Sequence, residues 1–285
     1  MPTNFHYGGQ AVIEGVMIRG PQQIAVAVRK SNGEVILDKR VVKSLSQRYS
    51  FLKLPMLRGI LALIEALVLG VQVLTYSANQ ACDEEEEALS YWQIFLTVAI
   101  SLLFGVLLFI ILPAGVVYFL KGLALFWQNL LEGILRLIVF LGYILAISRI
   151  DDIQRVFQYH GAEHKVIHAF EADEEITVEN CRKYSTLHPR CGTSFLFIVL
   201  FLSLAIFSFL NTPNLWWHIF SRVLLMPWVA AIGYEVIKFS AKYTHMKTVN
   251  WAIKPGLWLQ KLTTKEPDDQ QLEVAIKALD AARAV

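Results

Sequence analysis

Hydrophobic and polar positions alternate along the first part of the chain. Ile24, Val26 and Val28 are separated by Ala25, Ala27 and Arg29, and the same beat returns at Val35, Leu37 and Lys39. Between these runs lies Ser31-Asn32-Gly33, whose Asn-Gly pair tolerates positive φ and predicts a hairpin. Upstream, four glycines (Gly8, Gly9, Gly15, Gly20) punctuate a short apolar strand. Residues 1–53 therefore read as a small β-rich region. Period two then gives way to long apolar runs. Residues 93–119, 123–148, 194–211 and 219–238 predict spanning helices close to the length of about 20 residues a bilayer requires. The run 55–78, which carries Arg58 and Glu65, is ambiguous by itself; the distribution of charge makes it an interfacial or re-entrant helix over 54–79. The expected fold is mostly α: four transmembrane helices, one interfacial helix and the β-rich N-terminal region. The helices pair as 90–148 and 194–240, joined by a loop at 149–193 and followed by a tail at 241–285. In that tail Glu266-Pro267-Asp268-Asp269 precedes Leu272, Val274, Ala275 and Leu279, the pattern of a helix start with acid in its first turn.

Composition agrees with a membrane protein. Of 285 residues 55% are hydrophobic and 18% charged, against about 25% charged in a soluble domain, and the mean hydropathy is +0.46. The net charge of +2 gives no reason to expect nucleic acid as a partner. The first residues, Met1-Pro2-Thr3-Asn4-Phe5-His6, lack the basic and apolar regions of a cleavable signal peptide. Three cysteines, Cys82, Cys181 and Cys191, an odd number without such a signal, point to reduced thiols rather than a disulfide framework. Cys82 receives no role.

The distribution of charge predicts orientation. Lys and Arg number nine in region 1–58, six in 149–193 and eight after residue 237, whereas 212–218 has none. The positive-inside rule places all three basic regions in the cytoplasm. Four crossings satisfy this if 55–78 does not cross, and the acidic run Asp83–Glu87 then stays inside. Both termini are expected to be cytoplasmic in a multi-pass plasma-membrane protein. Glu132 and Arg136, one turn apart, can pair within the second span.

Chemistry concentrates in His160-Gly161-Ala162-Glu163-His164, an H-x-x-E-H sequence. On a helix its first, fourth and fifth positions share a face, so His160 and His164 can hold one metal ion with Glu163 beside it. The polar stripe runs on through His168 to Glu171, about 16 Å along the axis at 1.5 Å per residue, too far for one ion to use all of it. The alternative for the stripe is a solvated helix face. A third ligand is expected from elsewhere. Glu235, a carboxylate near the end of the last span, is one candidate. The other is His188-Pro189-Arg190-Cys191-Gly192, with Cys181 upstream. Imidazole and thiolate donors suit a divalent metal, zinc above all. The glycine-rich stretch 8–21 lacks the Gly-Lys-Ser/Thr ending of a phosphate loop. It reads as turns around a strand, or as a wall of the metal pocket with Glu14 and Arg19 as its polar groups.

The segments Gly8–Met17, Tyr159–Lys165 and His188–Phe195, with Glu266-Pro267 and Leu272–Ala275, together resemble the YqhQ-like family of bacterial membrane proteins across nearly the whole chain. The resemblance implies a bacterial cell membrane and a metal-dependent enzyme, and it carries over no substrate and no catalytic residues. Two functions follow from the residues. In the first, a membrane-embedded hydrolase works at the cytoplasmic face, with His160 and His164 on the metal, Glu163 as general base, and Glu235 or the Cys191 segment completing the site. In the second, a non-catalytic assembly or regulatory factor holds a structural metal in a closed site of His160, His164, His188 and Cys191. The lipid bilayer is the expected partner, with a membrane protein or a second copy of the chain alongside. A transporter is poorly supported, since Glu132, Arg136, Arg222 and Glu235 are the charged residues within the spans.

Overall fold

The computed structural model describes residues 7–41, 44–82, 90–120, 122–210, 214–242 and 247–284. The acidic run Asp83–Glu87 lies outside them. Four strands, β1 (Gly8–Val12), β2 (Gly15–Arg19), β3 (Gln23–Arg29) and β4 (Val35–Val41), form an antiparallel meander in chain order. The β3–β4 turn has Gly33 at φ +85°, as its Asn-Gly pair predicts, and Asn32 Oδ1 accepts from the Glu34 amide. Ile13 and Glu14 link β1 to β2, with Glu14 at φ +49°.

Both faces of β3 are covered. Val12, Met17, Ile24, Val26 and Val28 meet Val73, Leu69 and Tyr76 of helix α2 (Leu57–Ala81), which follows a short helix α1 (Leu45–Arg48) and a tight turn at Ser50–Lys53. On the opposite face Val16, Ile18, Ala25 and Ala27 meet α6 (Asp151–Glu171) and α11 (Asp269–Arg283) through Tyr159, Ala162, Val166, Leu272, Ala275 and Leu279. The alternation of β3 thus separates two apolar faces. Its small residues, Ala25 and Ala27, lie on the side where two helices come close.

The remaining helices are α3 (Tyr91–Val106), which continues through a widened turn at Leu107–Ile111 into α4 (Leu112–Tyr118), then α5 (Leu125–Ile147), the short α7 (Val178–Arg182), α8 (Gly192–Phe207), α9 (Leu215–Lys242) and α10 (Lys247–Thr263). Among the described residues four helices are long and apolar enough to cross a membrane: Leu57–Ala81, Tyr91–Tyr118, Leu125–Ile147 and Leu215–Ser240. This set of four differs from the expected one. It includes the run expected to be interfacial, and it omits α8, whose 16 residues rise only about 24 Å. The apolar sequence continues to residue 211, but the helix ends at Phe207, where Ser208 Oγ donates to the Leu204 carbonyl. Nevertheless α8 packs within the bundle, with Phe197 and Leu200 against Phe140, Ile144 and Leu259.

A buried polar network ties one end of the bundle together. Glu132 accepts from Arg136 and His218, each at 2.5 Å, and lies 3.7 Å from Arg222. Asn129 accepts from Arg222 and donates to the Leu210 carbonyl. The pair expected from sequence is therefore part of a larger cluster. Pro113 explains one of its members. Proline has no N–H to give the carbonyl four residues back, and that carbonyl, on Phe109, accepts from Arg136 Nε at 2.7 Å. At the opposite end of the bundle α5 runs out through Ser148–Ile150 into α6, and α8 begins at Cys191.

Candidate metal centre

Helix α6 opens with Asp151 and Asp152 in its first turn, where the helix dipole favours negative charge. Its Gly161 admits the tail: an added Cβ would lie 2.1 Å from the Lys265 carbonyl. The Lys265 amide donates to the Phe157 carbonyl at 2.9 Å. This close approach brings the backbone of Thr263 beside His160. The loop 184–191 closes over the other side of α6. Fully buried Gln260 clamps it, accepting from the His188 amide and donating to the His188 carbonyl and to Ser194 Oγ.

His160 Nδ1 donates to the Thr263 carbonyl at 2.9 Å, and His164 Nδ1 to the Thr186 carbonyl at 2.5 Å. A carbonyl can only accept, so both rings carry their proton on Nδ1 and present Nε2 lone pairs inward. His160 Nε2 stands 3.1 Å from Cys191 Sγ. The donor atoms of His160, His164 and Cys191 all lie within 4.8 Å of one another. Donors around a tetrahedral zinc stand about 3.3–3.6 Å apart, given bonds of about 2.0–2.1 Å to nitrogen and 2.3 Å to sulfur, so small shifts would close the group on one ion. Glu163 is buried, with Oε2 at 3.5 Å from His164 Nε2. Strand β1 lies against it: a Cβ on Gly9 would come 3.1 Å from Glu163 Cγ and 2.3 Å from the Met17 carbonyl. A cavity of about 360 Å³ opens here, lined by Gly8–Ala11, Phe157, Glu163, Arg190, Cys191 and three histidines, His160, His164 and His188.

The expected residues separate into two groups. His188 does not join the first. Its ring stacks nearer His168, at 4.5 Å, than His164, at 5.5 Å. Its Nδ1 accepts from the Arg190 amide, and its Nε2 faces Glu171 at 3.5 Å. His168, Glu171 and His188 form a second three-residue group. There Arg190 pairs with the Glu171 carboxylate and His168 Nε2 donates to the Leu187 carbonyl, so this group is already satisfied by protein partners. Burial holds the His168 and His188 imidazoles below the usual range. Glu235 is not brought to the metal group either. Arg58 takes both of its carboxylate oxygens. Cys181 is fully buried in the core between sheet and helices, and burial pushes its thiol up to about 11.

The pocket wall is β1 itself, not the polar groups expected of the glycine-rich stretch. Glu14 pairs with Arg155 and accepts from Tyr159, while Arg19 lines a different cavity. Sequence reasoning did not find the Thr186 and Thr263 carbonyls, which carry no side-chain signal, nor Gln260. The one trace of Gln260 is a polar residue between Leu259 and Lys261 on an otherwise apolar helix face.

A family model described as a protein of unknown function (DUF1385) matches residues 54–285. The chain is 37% identical over 289 residues to the "Uncharacterized protein YqhQ" of Bacillus subtilis (strain 168), covering 96% of this chain and 91% of that one. No solved structure matches. With the family model spanning the helices, the histidine loop and the tail, and the relative extending the match to the sheet, the chain belongs to the DUF1385 family of YqhQ-like proteins.

Proposed function

We propose that this protein is a membrane-bound, metal-dependent hydrolase. Its ligands are His160, His164 and Cys191, with Glu163 as general base. One observation carries the reading: two backbone carbonyls hold both imidazoles in the tautomer with a free Nε2, and His160 Nε2 lies 3.1 Å from Cys191 Sγ. Carbonyl partners of this kind are how metal-binding histidines are oriented, and two nitrogens with a sulfur suit zinc. Bound there, zinc would act as a Lewis acid and lower the pKa of a coordinated water towards 7. Three protein ligands leave a position open, as in catalytic sites. Glu163, buried beside His164, would take a proton from that water, and the adjoining cavity of about 360 Å³ would give the reacting group room. The basic sheet region, the histidine loop and the tail pack into one body, and the excess of Lys and Arg in all three favours its cytoplasmic side.

The rival reading, a structural metal in an assembly or regulatory factor, calls for a fourth ligand. His188 was the candidate, and its Nε2 faces Glu171 instead. The test combines elemental analysis with complementation of a deletion strain. The wild type is expected to carry about one zinc per chain, and His160→Ala/His164→Ala none. Glu163→Gln should reach the membrane, keep its zinc and fail to complement, because general-base catalysis typically contributes about 10²- to 10⁴-fold. Full complementation by Glu163→Gln would end the hydrolase reading. Function that survives metal removal but not Cys191 alkylation would replace the metal with a thiol–imidazole pair.

A further inference from the structure

A second and larger cavity, about 840 Å³, lies between the start of α2 and the helices α8 and α9. It meets the metal cavity at Arg190, Cys191 and Gly192, which line both. Its polar wall holds five cations, Arg19, Lys53, Arg58, Arg190 and Lys238, and one carboxylate, Glu65. Glu65 is occupied, accepting from Ser44 Oγ and the Leu45 amide. Arg58 is held by Glu235 and Arg190 by Glu171. Arg19 and Lys53 are exposed, with no carboxylate partner among the described residues. The other wall is apolar, with Leu61, Leu63, Phe195 and Ile237. Next to the lining residues Lys53 and Leu63 in sequence, Phe51, Leu54 and Ile64 are 59%, 56% and 52% exposed, apolar surface suited to lipid rather than to water.

The geometry points to a binding site for an anionic phospholipid. The headgroup phosphate sits among Arg19, Lys53 and Lys238, and the acyl chains lie along α2, α8 and α9. Charge complementarity selects the headgroup. The apolar wall selects a lipid over a free phosphoester. This site does not depend on the metal reading, because none of its three cations belongs to the metal group.

The test uses the full-length protein in detergent and native mass spectrometry with phosphatidylglycerol, phosphatidylcholine or soluble glycerol 3-phosphate. Each cation near an anionic headgroup is worth about 1 kcal/mol, or about fivefold. Wild type should prefer phosphatidylglycerol to phosphatidylcholine. Arg19→Ser/Lys53→Ser should lower that affinity about 25-fold, and Lys238→Ser alone about fivefold. Zinc content and circular dichroism should not change, because all three side chains lie on the surface. Equal binding of the two lipids, undiminished binding in both variants, or displacement by equimolar glycerol 3-phosphate would overturn the proposal.

Discussion

Gly161→Ala sets two effects against each other whose sizes differ. In an isolated helix, alanine is better than glycine by about 0.8–1.0 kcal/mol. In this protein the new Cβ would lie 2.1 Å from the Lys265 carbonyl oxygen, a backbone atom that cannot rotate away. Relief requires the tail to move outward by more than an ångström. That breaks the bond from the Lys265 amide to Phe157 and draws the Thr263 carbonyl away from His160 Nδ1. Overpacking a tight contact costs about 1–3 kcal/mol, and loss of the buried hydrogen bond about another 0.5–1.5 kcal/mol, so the helix gain is outweighed. Loss of an outer-shell partner typically costs a metal site 10- to 100-fold in affinity. The variant should therefore have a lower melting temperature and bind zinc roughly 10- to 100-fold more weakly, measured by competition with a chromophoric chelator. A higher melting temperature with unchanged zinc affinity would show that the tail does not dock at Gly161, and the basis for the His160 tautomer would fall with it.

Glu132→Ala should destabilise the protein by about 3–5 kcal/mol, because it leaves Arg136 and Arg222, 2% and 0% exposed, without their carboxylate. Thermal unfolding in detergent reads this, and an unchanged midpoint would contradict the network. The pH dependence has a definite sign. Burial holds His168 and His188 below their usual 6.5, so the unfolded chain binds more protons as pH falls through that value. Their contribution to stability is then present above about pH 6.5 and lost below it. Metal-free protein should melt progressively lower from pH 7 to pH 5, and a flat profile would refute the assignment. Gly9→Ala should lower both the melting temperature and complementation while sparing zinc content, since its Cβ meets the Met17 carbonyl at 2.3 Å and Glu163 Cγ at 3.1 Å and not the ligands; loss of zinc would mean that the strand holds the ligands as well.

The sequence was informative where chemistry depends on local spacing. Two histidines one turn apart on a helix must share a face, and Asn32-Gly33 must turn. It was uninformative where a contact joins distant segments through the backbone. Nothing in Thr186 or Thr263 marks their carbonyls as partners of His164 and His160. The choice between Glu235 and Cys191 was open for the same reason. Both are metal-ligating residue types at plausible distances in sequence, and the deciding fact is that Arg58, 177 positions earlier in the chain, occupies Glu235. Length and hydropathy leave the choice of spans open. They favour α2, which the charge pattern reads as interfacial, and they disfavour α8, which ends at Phe207.

If the long apolar helices cross a bilayer, the packing of the sheet limits how many of them do so. The face of β2 and β3 bearing Ile18 and Ala25 is covered by α6 and by α11, so sheet, histidine helix and C-terminal helix would share one side of it. Between the sheet and α6 the chain must then cross an even number of times. The stretches available are α2, α3 with α4, and α5. If all three crossed, sheet and α6 would lie on opposite sides, so one of them stays on the surface. The contacts favour α2 for that place, since its Val73 packs on the opposite face of the sheet and its Ser77 Oγ accepts from the Ile13 amide. Its exposed Ile64, Leu67 and Val68 would then give it a lipid-facing stripe. Between α6 and α11 the same parity would have α8 and α9 cross together, although α8 is short. Single cysteines in a cysteine-free background test this. Asn214 should react with a membrane-impermeant reagent outside intact cells, and Ser31 and Asp173 should be protected. Labelling of Ser31 with protection of Asp173 would make α2 a span and would be incompatible with the sheet lying on α6.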